Sequence, residues 1–498
     1  MSAATSPTGT GQRKNHLIEE SILPVRNRER TIRALGFVWI WIGMAVIIAT
    51  FQLGANGVVG LPLWQVLVTI LLANVALAVV MTLTADIGTE HGLSFAVYLR
   101  APFGVRGTHL PALSRGIVAA IWFGVQTYLG ALAINGIVGY FTGLDAWFLW
   151  YVVFGVVQVV NTAMGIRAVE RLASIAAPAI IAVSIWMYFT LADVADTAGR
   201  NIWNFASDGS IAPFTLFVAN MAFWSALAVD IPNITRFLKT EPGARGFARR
   251  NKNVFAAQFI ALPLTQTFVA LIGAASFIAA GDWNPVTVIQ GQSQGLTLVV
   301  LLALVILAQW STNNAANLIP AALTFVNVGA PYVPYKWAVA LAGVVGTLAF
   351  PWLILNNLFT FLGYYGALLS AVGGIMICDY YVIRRRRINI PDLYRADGQF
   401  HFVNGFNPAG LIAWVVAGGL ALWQLQYAYV VGLPVGFAVY YLLMKFWILP
   451  TYPQAEVDAA DADAYLGTSA SLEWEYDGAG GLRKVSVGSE VRGRREDA

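Results

Sequence analysis

Apolar residues in this chain gather in long blocks separated by short polar connectors. Twelve blocks reach the roughly 20 residues that the hydrocarbon core of a bilayer requires: 34–56, 62–84, 110–138, 147–164, 172–192, 211–230, 254–280, 296–322, 336–352, 355–382, 408–428 and 430–449. Runs such as Leu67–Val80 do not alternate apolar with polar positions, which argues against a membrane β-barrel. Backbone amides in lipid need partners within their own segment, so each block is expected to be a helix. The pattern predicts an all-α membrane protein of twelve transmembrane helices. It leaves a polar segment at 1–33, a basic connector at 383–407 and a tail at 450–498. The tail is rich in Ala, Gly, Asp, Glu and Ser with little apolar periodicity, and is expected to be largely disordered.

Charge orients the blocks. Arg100 and Arg106 follow the second, Arg167 and Arg171 the fourth, Arg236, Lys239, Arg245, Arg249, Arg250 and Lys252 the sixth, and Arg384 to Arg387 the tenth. The alternate connectors are nearly free of basic residues, Arg200 excepted. The positive-inside rule then puts both termini in the cytoplasm, with the chain in a bacterial inner membrane. Residues 1–33 are polar and basic and lack an apolar core, so they are not read as a signal peptide.

Composition sharpens this picture. Of 498 residues 58% are hydrophobic and only 11% charged, where a soluble domain carries roughly 25%. Mean hydropathy is +0.65. The net charge of +4 sits in connectors, as membrane orientation requires, and not in a nucleic-acid-binding groove. One cysteine, Cys378, excludes a disulfide framework and a cysteine metal site. All four histidines fall outside the blocks.

Polar residues inside a span survive only where protein or water satisfies them, so they mark candidate chemistry. The first block contains Gly43-Met44-Ala45, then Thr50, Gln52 and Gly54; such glycines either pack helices closely or allow an unwinding that frees carbonyls for a cation. In the third block Trp122 and Gln126 are four apart and share one face. They are either a packed ring beside a structural amide, or a stacking plate beside a hydrogen-bonding group. The sixth block carries Asn220, Trp224 and Ser225, then Asp230 ahead of Pro232 and Asn233. Asp230 is expected to pair with Arg236 at the span's end, or else to titrate during transport. The eighth block reads Gln309-Trp310-Ser311-Thr312-Asn313-Asn314-Ala315-Ala316-Asn317. Packing alone gives no reason for that density, and adjacent hydroxyls at Ser311 and Thr312 suit a hard monovalent cation.

No Lys or Arg falls at mid-span in this reading, which disfavours a substrate carboxylate or phosphate. Amides and indoles suit a neutral planar solute instead. Each stacking ring adds about 1 kcal/mol beyond area burial, and each neutral hydrogen bond about 1 kcal/mol net. An intramembrane enzyme would need a nucleophile–base pair, a metal triad or paired carboxylates, and the spans offer only Asp230 and Asp379. A channel would show a polar lining along its axis, whereas these polar residues cluster near one depth.

Four strings add a resemblance: Arg100-Ala101-Pro102-Phe103-Gly104-Val105-Arg106-Gly107; Trp122-Phe123-Gly124-Val125-Gln126-Thr127; Trp310-Ser311-Thr312-Asn313 with Ala315-Ala316-Asn317; and Asp379-Tyr380-Tyr381 with the arginine run and Ile390-Pro391-Asp392-Leu393-Tyr394-Arg395. In this order they resemble the nucleobase–cation symport-1 family, most closely its bacterial hydantoin and allantoin permeases. The resemblance implies a five-plus-five inverted-repeat core over 34–382, two peripheral helices over 408–449, and cation-coupled symport by alternating access. It implies a substrate site of Trp122, Gln126, Phe223, Trp224, Asn317 and Ile47. It implies a sodium site from backbone carbonyls of Gly43, Val46 and Ala308 with the side chains of Ser311 and Thr312. A lid is implied near Leu362, Gly363, Tyr364 and Tyr365. The implied partners are a small neutral heterocycle (hydantoin, allantoin or a nucleobase), sodium or a proton, and the bilayer; the chain is expected to act as a monomer, with no enzyme cofactor. This chain departs from the family at Ile47, where hydantoin-type members carry a substrate-contacting glutamine. It also departs at Asn314, in place of a proline, where the helix is expected to run on more smoothly. Asp230 and Asn233 stand in the reverse of the family's usual order.

Overall fold

The computed structural model describes residues 17–478 and 481–488; residues 1–16 of the N-terminal segment and 489–498 of the tail lie outside that description. The longer helices are α1 (Ala34–Ala45), α2 (Ile48–Gly60), α3 (Leu63–His91), α4 (His109–Thr142), α5 (Trp147–Ala163) and α6 (Ile166–Thr197). They continue with α7 (Pro213–Asp230), α8 (Lys252–Ala280), α9 (Gly295–Gly329), α10 (Tyr335–Thr347), α11 (Leu358–Ile383), α12 (Pro408–Trp423) and α13 (Leu425–Thr451). Among the described residues, seven helices are long and apolar enough to cross a membrane, or eight when α1 and α2 count as one bent span. The apolar helices α5 and α12 are shorter.

The first apolar block is broken. Val46 (φ −88°, ψ 72°) and Ile47 (φ −116°, ψ 149°) leave the helical region, and the two halves bend by 54°. The break frees backbone groups that a continuous helix would pair, and side chains answer part of that demand: Thr50 Oγ1 donates to the Ala45 carbonyl. α2 then crosses α8 very closely. A Cβ on Gly54 would stand 2.0 Å from the Ala270 carbonyl, and one on Gly273 2.0 Å from that of Phe51. Only glycine permits that approach.

α3 packs along α7, α4 along α9, and α11 along α7, α12 and α13. Within α9, residues Asn314–Leu318 form a π-helical turn. Asn314 therefore does not smooth the helix as expected; the wide turn rotates the polar stretch so that its members face different neighbours. Pro232 ends α7 at Asp230 and opens a single turn, Pro232–Thr235.

The tail departs from expectation. Residues Leu472–Tyr476 (β1) and Leu482–Ser486 (β2) form an antiparallel hairpin, and the segment before it is pinned to the end of the bundle that carries both termini. Glu473 accepts from Arg26 Nε at 3.0 Å and from the Asn27 amide at 2.8 Å. Glu90, at the end of α3, accepts from the Gly467 amide at 2.9 Å and from Ser469 Oγ. Arg384 pairs with Asp379 at 2.9 Å and with Glu456, and Arg245 with Asp463 at 2.6 Å. A Cβ on Gly467 would meet the Glu90 carbonyl at 2.2 Å, so that contact too depends on glycine. Burial lowers the Arg30 guanidinium to about 10, and its Nη1 donates to the Thr89 carbonyl at 2.7 Å. The tail lacks a core of its own. It folds because Arg26, Arg245 and Arg384 pair with its carboxylates and Glu90 accepts from its Gly467 amide, contacts that apolar periodicity does not register.

Candidate functional site

α4 brings Trp122 and Gln126 to the bundle interior, buried at 5% and 2% exposure. α7 brings Phe223 and Trp224, and α9 brings Thr312, Ala316 and Asn317. The break after α1 contributes Met44 and Ile47. These residues line one cavity, so all six expected substrate residues meet in a single place. Its volume is about 30 Å³, room for about two waters at about 10–15 Å³ each. Phe223 lies edge-on to both indoles, 5.6 Å from Trp122 and 5.2 Å from Trp224 between ring centroids.

The polar stretch of α9 is divided among three tasks. Asn313 Nδ2 donates to the Phe123 carbonyl (3.0 Å), Thr127 Oγ1 (3.1 Å) and Gln158 Oε1 (2.9 Å), and Asn314 to Asn161, which ties α9 to α4 and α5. Asn317 Nδ2 donates to Asn313 Oδ1 at 2.8 Å, which holds that amide at the cavity wall. Ser311 and Thr312 turn to the break after α1. Thr312 Oγ1 donates to the Gly43 carbonyl, and Ser311 Oγ lies 3.4 Å from where a Gly43 Cβ would be. Val46 and Ala308 line a second small cavity beside the same break, with Gln309. Thr312 thus borders the ring cavity and the cluster of candidate cation ligands at once.

α11 reaches two residues of the cavity wall, through Tyr365 of the implied lid and through Phe361 just before it. Phe361 stands 5.8 Å from Trp122, and Tyr365 donates its hydroxyl to the Phe223 carbonyl at 2.9 Å. Leu362 is fully buried, Gly363 faces Leu425, and Tyr364 is 55% exposed.

Two further groups belong to the site. Trp224 Nε1 donates to Gln266 Oε1 at 2.6 Å, Gln266 Nε2 to Asn220 Oδ1 at 2.9 Å, and Asn220 Nδ2 to Asn74 Oδ1 at 2.9 Å. This chain through α8, α7 and α3 fixes the plane of one indole from behind. Gln266 carried no local signal; an amide within an apolar helix is the only hint of it. The second is Arg115, which lines the cavity at 1% exposure. It corrects the expectation that no cation reaches the middle of the bundle. Its spacing was visible, because Arg115, Trp122 and Gln126 lie 7 and 11 residues apart on one helical face. Arg115 also overturns the expected Asp230–Arg236 pair. Asp230 Oδ2 lies 2.9 Å from Arg115 Nη2, while Arg236 donates to the Ser21 carbonyl at 2.9 Å.

The chain is similar to known proteins over most of its length. Residues 24–449 match the model of a family described as permeases for cytosine/purines, uracil, thiamine and allantoin. A hydantoin permease of Microbacterium maritypicum is 31% identical over 443 residues, 88% of this chain and 90% of the relative. An allantoin permease of Bacillus subtilis is 26% identical over 479 residues, 87% and 94% of the two chains. A nucleobase-cation-symport-1 family transporter, solved closed with bromovinylhydantoin bound, superposes with a TM-score of 0.83 at 31% identity, covering 88% of this chain and 98% of that one.

Proposed function

The chain belongs to the family of permeases for cytosine/purines, uracil, thiamine and allantoin, and on that premise we propose that it is a secondary active symporter of a neutral planar heterocycle: a hydantoin, allantoin or a nucleobase. The observation that carries this is the single buried cavity where two indoles, Gln126 and Asn317 converge beside a broken helix. Trp122 and Trp224 stack on the ring, with Phe223 and Ile47 closing its apolar sides. Gln126 and Asn317 read its amide edges. α11 reaches the cavity wall through Phe361 and Tyr365, so it is the element that shifts for entry.

The coupling ion in this reading is sodium, held by the Gly43, Val46 and Ala308 carbonyls and the Ser311 and Thr312 hydroxyls. Because Thr312 borders both sites, ion and ring each favour the arrangement the other needs, which is the reciprocity that symport requires. The first ten of twelve spans, α1 to α11, form two inverted repeats, and both termini face the cytoplasm of a bacterial cell. The test is uptake and binding of hydantoin, allantoin, uracil, cytosine and purines, with and without sodium. Sodium-dependent binding of at least one ring is expected, and Ser311→Ala with Thr312→Ala raises the sodium requirement steeply. Unchanged sodium dependence in that double variant would instead favour protons, and no binding across the panel would end the reading.

A further inference from the structure

The ion pair of Arg115 and Asp230 has no part in the account above. Arg115 Nε donates to the Ala226 carbonyl at 3.1 Å and Nη2 to the Ala316 carbonyl at 3.0 Å, besides its contact with Asp230. The guanidinium therefore joins α4, α7 and α9 at the wall of the cavity, and both carbonyls come from residues that line it. Its remaining nitrogen, Nη1, is buried with no hydrogen-bond partner among the described residues, and so is Gln126 Oε1. One is a donor and the other an acceptor, and both residues line the same cavity. Buried polar groups left unmatched are costly, so these two atoms describe what a ligand must bring: an acceptor for one and a donor for the other.

We propose that Arg115 reads the substrate. Its Nη1 donates to a ring carbonyl oxygen while Gln126 Oε1 accepts a ring N–H. Asp230 cancels the guanidinium charge so that the ring is taken uncharged. The ligand is the neutral ring proposed above, provided that it carries both a C=O and an N–H. This rests on the cavity being the substrate site, and it replaces the reason for neutrality: a cation is present, but already paired. A carboxylated ring would have to displace Asp230 from Arg115 or remain without a counterion in a dry site.

The test uses the full-length protein in sodium buffer, with tryptophan quenching by hydantoin, uracil and 6-carboxyuracil. Wild type is expected to bind hydantoin or uracil and to reject 6-carboxyuracil. Arg115→Gln removes a charge-assisted hydrogen bond and weakens the neutral ring about 10- to 100-fold. Asp230→Asn leaves Arg115 unpaired and gains at least tenfold in 6-carboxyuracil affinity, a gain that misfolding cannot produce; adding Arg115→Gln abolishes it. The proposal is overturned if Asp230→Asn gains nothing, or if Arg115→Gln binds the neutral ring like wild type while Trp122→Ala does not. If Trp122→Ala also binds like wild type, the fault lies in the reading of the cavity itself.

Discussion

The cavity between α4, α7 and α9 and the face that carries both termini each bury polar side chains, yet they are built from different chemistry. The cavity is held by neutral amides, indoles and one ion pair. The opposite region is a collar of charges: Arg26 with Glu473, Arg250 with Asp86 and Glu90, and Arg384 with Asp379 and Glu456. Neutral hydrogen bonds contribute about 1 kcal/mol net each, so a ligand can replace them and helices can part around it. A buried ion pair that loses one partner costs about 3–5 kcal/mol, so the collar resists partial opening. On the proposed reading the cavity is built for exchange, whereas the collar holds connectors and tail together.

The largest expected effect that would break this contrast lies in the cavity. Trp122→Ala removes a stacking face and leaves a void, a change of about 3–5 kcal/mol in buried sites, and should weaken ring binding by a hundredfold or more while membrane insertion is retained. Next comes the indole support. Gln266→Leu breaks the chain to Asn220 and Asn74 and frees the Trp224 plane. We expect roughly tenfold weaker binding, the worth of about one buried hydrogen bond, with a changed tryptophan emission in the ligand-free protein. Normal affinity in Gln266→Leu would show that Trp224 is held by packing alone.

Removal of residues 454–498 tests the other side of the comparison. It strips partners from Arg26, Glu90 and Arg384, so thermal unfolding should begin a few degrees lower while ring affinity stays within about twofold, less than 0.5 kcal/mol. A large loss of affinity on truncation would mean that collar and cavity are not separable. The smallest effect is expected at Arg245 and Asp463, both exposed. The hydrogen bond from Arg245 holds the Asp463 carboxyl below its ordinary value, so whatever the pair adds is present above about pH 4 and fades as pH falls through that lowered value. Arg245→Ala should leave the unfolding temperature unchanged, because water screens an exposed pair.

Much of the site was legible because its residues obey local rules. Trp122 and Gln126 share a face by spacing, and the density of polar residues from Ser311 to Asn317 has no packing explanation. Arg115 obeys the same face rule, yet it stands near the start of its block and not at mid-span. Phe361 and Tyr365, and not Leu362 or Tyr364, touch the cavity wall, because rotation about α11 is set by its packing against α7 and α13.

By itself, the chain's pattern of apolar blocks and basic connectors determined a helical membrane protein, since lipid leaves the backbone no other way to satisfy its amides. Spacing alone also chose which face of α4 turns inward. Only the tertiary structure decided that Asp230 answers Arg115 and not Arg236, that Gln266 steadies Trp224, and that a tail without its own core folds onto Glu90 and Arg384. Those are contacts between segments up to several hundred residues apart. Their energy depends on which charges and amides are brought together in a dry interior, a quantity that no local periodicity records.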